Sequence, residues 1–166
     1  TNRVMPEAPY WGWNDQHPMV NVSYNDAIAY CQWLSKALGV TYRLPTEAEW
    51  EFAANGGTQS KGYTYAGSND INQVAWYYKN ANYQMQAVGQ KKPNELGLFD
   101  MTGNAWEWCS DFFEEIAFGK GVLKGGSSMS FETNSTNVQR NYRATNRAIY
   151  SAGFRLVTTA KITASA

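Results

Sequence analysis

The chain is poor in the residues that imidazole, thiol and zinc chemistry require. Its 166 residues include one histidine, His17, and two cysteines, Cys31 and Cys109. No Cys-x-x-Cys pair or zinc-type spacing occurs, so at most one disulfide is possible and no zinc site is expected. A Ser-His-Asp or Cys-His catalytic group would depend on His17 alone. This scarcity argues against nucleophilic catalysis by this chain.

Net charge and long apolar runs are also missing. Lys and Arg together number 14, as do Asp and Glu, so the net charge is zero. No global field therefore attracts nucleic acid or an anionic membrane surface. No apolar run approaches the roughly 20 residues that span a bilayer. We expect no nucleic-acid partner, no membrane insertion, and a monomer with a single domain at 1–157 and a tail at 158–166.

Aromatic residues and glycine are plentiful, and two helices are predicted between them. The chain contains 7 Trp, 11 Tyr and 14 Gly, a composition typical of a loop-rich fold held by aromatic anchors. Ser23 and Asp26 have the spacing of a capping box before an apolar repeat of helical period that ends at Gly39. Thr46 and Glu49 predict the start of a second helix, of about ten residues.

The rest of the chain carries only short strand signals. Strands are expected at 20–22, 122–124 and 153–157, from their runs of apolar residues. Residues 56–97 have little regular pattern. A loop of that length inside a compact domain is either functional or held by another segment, and we expect the turn at 97–109 to hold it.

That turn, 97–109 (GLFDMTGNAWEWC), is the most distinctive stretch of the sequence. Trp106 and Trp108 are two residues apart, so in an extended segment they share a face and Glu107 points the opposite way. Asp100 and Glu107 lie on either side of a turn whose carbonyls could converge between them. Calcium prefers that mixture of oxygen ligands. The alternative is a Trp-anchored core turn whose two acids face water.

Residues 127–152 have the composition of a binding surface. They contain no Lys and one acid, Glu132, among many Ser, Thr, Asn, Tyr and Arg residues, as in a paratope. The alternative is an ordinary polar loop packed over a sheet. The candidate contact residues are Ser128, Ser130, Phe131, Glu132, Thr133, Asn134, Asn141, Tyr142, Arg143, Thr145, Asn146, Arg147, Ile149 and Tyr150.

Five motifs in order closely resemble the formylglycine-generating enzyme (sulfatase-modifying factor) family. They are 17–27 (HPMVNVSYNDA), 43–51 (RLPTEAEWE), 103–108 (GNAWEW), 125–127 (GGS) and 153–156 (GFRL). The resemblance implies an α+β fold, the irregular C-type lectin-like fold of this family. That fold has two main helices, a small twisted antiparallel sheet and long loops.

The resemblance also has implications for metals. Catalytic members of the family bind copper through a cysteine pair just after Gly-Gly-Ser, but residues 125–140 contain no cysteine. A hydroxyl cannot replace a thiolate as a copper ligand, so neither copper nor formylglycine generation is expected. Family members bind calcium at the turn, which implies a structural calcium held by Asp100 and Glu107 side chains and Gly103 and Ala105 carbonyls.

A second resemblance suggests a function. Variable proteins of diversity-generating retroelements share this lectin-like fold and diversify adenine-rich codons ahead of a terminal Gly-Phe-Arg, as at Gly153 here. The leading hypothesis is a non-catalytic domain that presents 128–151 to a protein or glycan ligand. A cysteine-less accessory or structural domain is the alternative, and an oxidase is the weakest reading. The compartment stays open, with the cell surface one option.

Overall fold

The computed structural model describes residues 3–112 and 119–159. Two main helices, short strands and long irregular segments confirm the predicted α+β class. The elements in chain order are α1 (Tyr24–Leu38), β1 (Tyr42–Arg43), α2 (Glu47–Ala54), α3 (Ile71–Val74), β2 (Trp106–Phe112), β3 (Lys120–Lys124), β4 (Arg140–Ala144), β5 (Ala152–Gly153) and β6 (Val157–Thr158). Short 3₁₀ turns occupy Gly57–Gln59 and Glu132–Asn134.

Both predicted helix starts are confirmed by complete capping boxes. The Ser23 hydroxyl accepts a hydrogen bond from the Asp26 amide (3.2 Å), and the Asp26 carboxylate accepts one from the Ser23 amide (3.0 Å). Thr46 and Glu49 repeat the arrangement at 3.1 and 2.9 Å. Each box satisfies amides that the first helical turn would otherwise leave unpaired.

The main sheet has the strand order β4-β3-β2-β5, and β1 pairs with β6 in a separate two-stranded ribbon. The β4–β3 and β3–β2 pairs are antiparallel, whereas β2 and β5 are parallel. The sheet is therefore mixed. Strand β5 comes after β4 in the chain and lies beside β2, so the two are not joined by a hairpin. The predicted strand at 122–124 lies within β3.

Two other strand predictions are wrong. Residues 20–22 form no strand, because Asn21 takes a left-handed conformation (φ 57°) that a strand cannot continue through. The predicted strand at 153–157 is instead two short strands, β5 and β6, which belong to different sheets. Thr158 pairs with Tyr42, and residues 160–166 of the predicted tail lie outside the described part.

Strand β2 is covered on both faces, which explains its buried pattern. Trp106 and Trp108 share one face and pack in the same core cluster, as predicted. Glu107 points the other way, but Trp50 of α2 covers that face, so Glu107 is only 8% exposed. The alternative in which this acid faces water is therefore excluded. Within the described ranges, no helix is both long and apolar enough to cross a membrane.

The turn before β2 holds the long loop, as expected. The Asn104 amide donates to the Trp76 carbonyl (2.7 Å) and the Gly103 amide to the Gly125 carbonyl (2.8 Å). The Asn104 side chain both accepts from the Gln86 amide (3.0 Å) and donates to the Gln86 carbonyl (3.1 Å). One pair of residues thus fixes two points of the 56–97 segment and the end of β3.

Two glycines of this turn allow a matched test. Gly103 and Gly97 have nearly the same left-handed φ, 73° and 76°, but a Cβ on Gly103 would lie 2.2 Å from the Trp76 carbonyl oxygen. No atom lies within 4 Å of a Cβ on Gly97. Gly97→Ala should cost about 1–2 kcal/mol of unfolding free energy, the left-handed penalty alone. Gly103→Ala should cost at least about 4 kcal/mol, as for other severe backbone clashes.

Urea unfolding of both variants measures this difference. Equal losses of stability in the two variants would contradict the close approach of Gly103 to Trp76. Failure of Gly103→Ala to fold, with Gly97→Ala folded, would agree with it.

Candidate functional site

The candidate surface, residues 128–151, begins with a tight turn whose serines face inward. The Ser128 amide donates to the Asn104 carbonyl (2.8 Å), and the Ser127 amide donates to the Ser130 hydroxyl (3.0 Å). Ser128 is fully buried and Ser130 is 9% exposed. These two predicted contact residues therefore do not lie on the surface. The Ser130 hydroxyl is used within the turn, as serine commonly is, whereas the Ser128 hydroxyl donates to Met85 Sδ (3.9 Å).

A second anchor lies in the middle of the segment. The Asn137 side chain donates to the Asn55 side chain (3.0 Å) and to the Tyr63 carbonyl (3.2 Å), and its amide donates to the Thr64 carbonyl (3.0 Å). Asn137 is 3% exposed. This role could not be predicted from the sequence, since one asparagine among many polar neighbours looks like another surface residue.

The other predicted contact residues lie between Ser130 and β5 in the chain and differ in how far their side chains are exposed. Those exposed to solvent are Phe131, Thr133, Asn134, Arg143, Asn146, Arg147 and Tyr150. Those half-buried are Glu132, Asn141, Tyr142, Thr145 and Ile149. Val138 and Arg140 are also exposed and were not predicted as contacts.

Strand β4 carries the centre of this surface at one edge of the sheet. It pairs only with β3 in the sheet order, so its outer side faces away from the other strands. Arg143 is exposed on it, whereas Tyr142 packs partly on the core beneath. Ile149 also packs on the core, and its carbonyl accepts from the Asn21 amide (3.1 Å). Tyr142 and Ile149 thus join the surface to the frame, which consists of the helices, the sheet core and the loops outside 128–151.

A buried lysine ties the surface to α2. Lys124 is fully buried, and its Nζ donates to Glu51 Oε1 (2.5 Å) and to the Val138 carbonyl (3.2 Å), with Glu47 Oε1 at 3.6 Å. A buried ammonium needs such partners, because desolvation without them is costly. This role could not be predicted either, because a single lysine at the end of a strand is ordinarily solvated.

Three of the four predicted calcium ligands, Asp100, Ala105 and Glu107, line a separate cavity of about 530 Å³, whereas Gly103 is not among its lining residues. Glu107 accepts two bonds from Arg155, at 2.6 and 2.7 Å, and a third from the Trp50 indole (2.6 Å). Its carboxylate is therefore already neutralised. The role of Arg155 was not predicted, although its motif was noted.

The carboxylate of Asp100 has fewer hydrogen-bond partners than that of Glu107. Its Oδ2 accepts from the Gly89 amide (2.8 Å), whereas its Oδ1 is buried with no hydrogen-bond partner among the described residues. Burial raises the pKa of Asp100, with the nearby Glu107 charge acting in the same direction.

In residues 3–112 and 119–159, no group of three or more His, Cys, Asp or Glu side chains forms a metal cluster.

The two cysteines are free and buried in different core clusters. Cys31 packs in the cluster with Trp108, and Cys109 packs in the one with Trp50. Burial raises the pKa of both thiols. Both side chains therefore stay neutral and inside the protein.

Comparison with known proteins finds one family. The model of the sulfatase-modifying factor enzyme 1-like domain matches residues 6–160. The formylglycine-generating enzyme of Streptomyces coelicolor is 32% identical over 176 aligned positions, which cover 89% of this chain and 54% of that protein. The inactive Cα-formylglycine-generating enzyme 2 of Bos taurus is 35% identical over 132 positions, covering 74% of this chain and 42% of that protein.

Among solved structures, variable protein 1 of Treponema denticola has the same fold. The TM-score is 0.80 at 26% identity, over 90% of this chain and 74% of that one. The chain spans about a third to a half of the length of the curated relatives it matches.

Proposed function

The chain belongs to the sulfatase-modifying factor enzyme 1-like family, and on that premise we propose that it is a non-catalytic ligand-binding domain. The 128–151 segment would be displayed to a protein or glycan ligand. The observation that carries the proposal is the separation within this segment between buried anchors and exposed side chains. A fixed accessory domain with no display role is the alternative.

The anchors hold the backbone of the segment without using the exposed side chains. Ser128 and Asn137 bond to the frame from inside, and Lys124 binds the carbonyl between them at Val138. Substitutions at exposed positions away from such features usually change stability by less than about 0.5 kcal/mol. The surface can therefore vary in chemistry while the fold stays constant, as a display scaffold requires.

The composition of the chain supports the non-catalytic reading. Residues 125–140 contain no cysteine, and Cys31 and Cys109 are buried as neutral thiols. No pair of soft ligands is thus available to hold copper next to the candidate surface. One relative of similar identity is itself named an inactive enzyme.

Two exposed arginines on the segment provide a binding test. Arg143→Ala/Arg147→Ala should weaken ligand capture at least tenfold, since arginine often anchors interfaces, and should leave the melting temperature nearly unchanged. The matched control is Gln32→Ala/Lys36→Ala, on the exposed side of α1. The measurement is quantitative mass spectrometry of material captured by each immobilised variant from extracts and cell surfaces of the source organism. Equal capture by both double variants would contradict the display role.

Sequence variation gives an independent test of diversification. Deep sequencing of the codons for 127–155 across a population should find adenine-position changes at exposed residues such as Asn134 and Asn146. Asn137 is the internal control, because it has the same kind of codon but its side chain is buried and bonded. Variation at Asn137 equal to that at Asn134, or a uniform segment, would contradict diversification and leave a fixed accessory domain.

We also propose that the turn before β2 binds a structural calcium ion. Asp100 would supply its unpaired, buried Oδ1, together with the carbonyls of Gly103 and Ala105. Glu107 would have to share oxygens already bonded to Arg155. The site therefore depends chiefly on Asp100. When bound, calcium would neutralise this carboxylate and fix the turn.

Asp100→Asn distinguishes the two states of this turn. If calcium binds, the variant should melt at a lower temperature than wild type in calcium and should lose the wild type's response to a chelator. If no ion binds, the variant should be at least as stable as wild type above the raised pKa of Asp100, because burial and the nearby Glu107 disfavour the charged carboxylate that the variant removes. Thermal unfolding in calcium and in chelator measures this, and a wild type that ignores chelator contradicts the site.

A further inference from the structure

Three aromatic side chains, Tyr78, Tyr83 and Phe131, contact one another and form a platform at the start of the display segment (128–151). Phe131 belongs to the segment and the two tyrosines lie outside it. The rings of Tyr78 and Phe131 have centroids 4.5 Å apart, and those of Tyr78 and Tyr83 are 5.2 Å apart at 86°. Phe131 is 53% exposed and Tyr83 is 50% exposed. Exposed rings also meet on α1, where Tyr30 contacts Trp33, so the distinguishing feature of Tyr83 and Phe131 is their position at the 128–151 segment.

The backbone beneath Tyr83 is strained. Asn82 and Tyr83 have φ values of 52° and 58°, a left-handed conformation that is a genuine outlier for a bulky residue such as tyrosine. The Tyr10 hydroxyl donates to the Tyr83 carbonyl (2.5 Å) and helps to hold this turn. Strain of this kind persists only where the surrounding structure enforces it, and it concentrates at functional sites.

The platform is joined directly to the display segment. The Tyr78 amide donates to the Ser130 carbonyl (3.1 Å), and Lys79 forms an ion pair with Glu132. The 78–83 turn and the start of the display segment therefore form one surface. Lys79 and Glu132, the two charged groups beside the rings, thus neutralise each other, and the rings themselves offer contacts to a neutral ligand.

The geometry points to a binding site for a neutral sugar ring on this platform, with Tyr83 and Phe131 as contact residues. The inference rests on the proposed display function and extends its surface beyond 128–151. Aromatic faces carry partial negative charge, to which the weakly positive C–H groups on one face of a pyranose ring are attracted. Exposed Asn82, Thr133 and Asn134 stand close by in sequence as partners for its hydroxyls.

An array of neutral and anionic glycans, followed by calorimetric titration of the strongest neutral binder, tests the inference. Wild type should bind at least one neutral glycan. Phe131→Ala and Tyr83→Gly should weaken that binding at least tenfold. Tyr83→Gly also relieves the left-handed strain, so its melting temperature should not fall, and a loss of binding cannot then be assigned to misfolding.

The matched control is Tyr30→Ala, an exposed tyrosine on α1 that also lies against other rings. It should bind within twofold of wild type. The inference is overturned if wild type binds no neutral glycan, or if Tyr83→Gly binds as tightly as wild type. A protein ligand that depends on Arg143 and Arg147 but not on Tyr83 would also overturn it, while leaving the display function standing.

Discussion

The close backbone approach at Gly103 and Asn104 is the contact on which the other segments depend. The carbonyl of Trp76 sits where a side chain of residue 103 would be, and Asn104 bonds Gln86 through both ends of its amide group. The Asn104 carbonyl then receives the amide of Ser128, the first residue of the display segment. The long loop and the display segment are therefore positioned by one turn, and neither needs regular secondary structure of its own.

Two buried charged groups also hold this frame together. They orient the elements that they join more than they stabilise the fold. Glu107 lies between Arg155 and the Trp50 indole, and Lys124 lies between Glu51 and a carbonyl of the display segment. Burying such pairs costs desolvation that their attraction only partly repays, but removing one partner would leave a charge buried alone. Each pair thus joins elements that are far apart in sequence, and the frame tolerates little change at these positions.

The local features of this fold could be predicted from the sequence, and the long-range ones could not. Capping boxes depend on residues three apart, so both helix starts were correct, and the shared face of Trp106 and Trp108 follows from strand geometry. The failed strand at 20–22 depends on the left-handed Asn21, which no local pattern indicated. Ser128 and Ser130 resemble their exposed neighbours in type, and only contacts made in the folded chain, with Asn104 for Ser128 and with Tyr78 for Ser130, accompany their burial. For the same reason, the contacts of Lys124 with Glu51 and of Asn137 with Asn55, each between residues more than 70 positions apart, had no sequence signal.

The frame and the display segment therefore carry different parts of recognition. Exposed residues such as Arg143 can change at little cost to the fold, so they suit discrimination among ligands. Tyr78 and Tyr83 lie outside the 128–151 segment, so changes within the segment leave these two rings in place. Two constant rings beside a changeable polar surface would keep the chemical class of ligand the same while the segment, including Phe131, selects among members of that class. This division follows from which side chains the frame needs, and not from the composition of the segment alone.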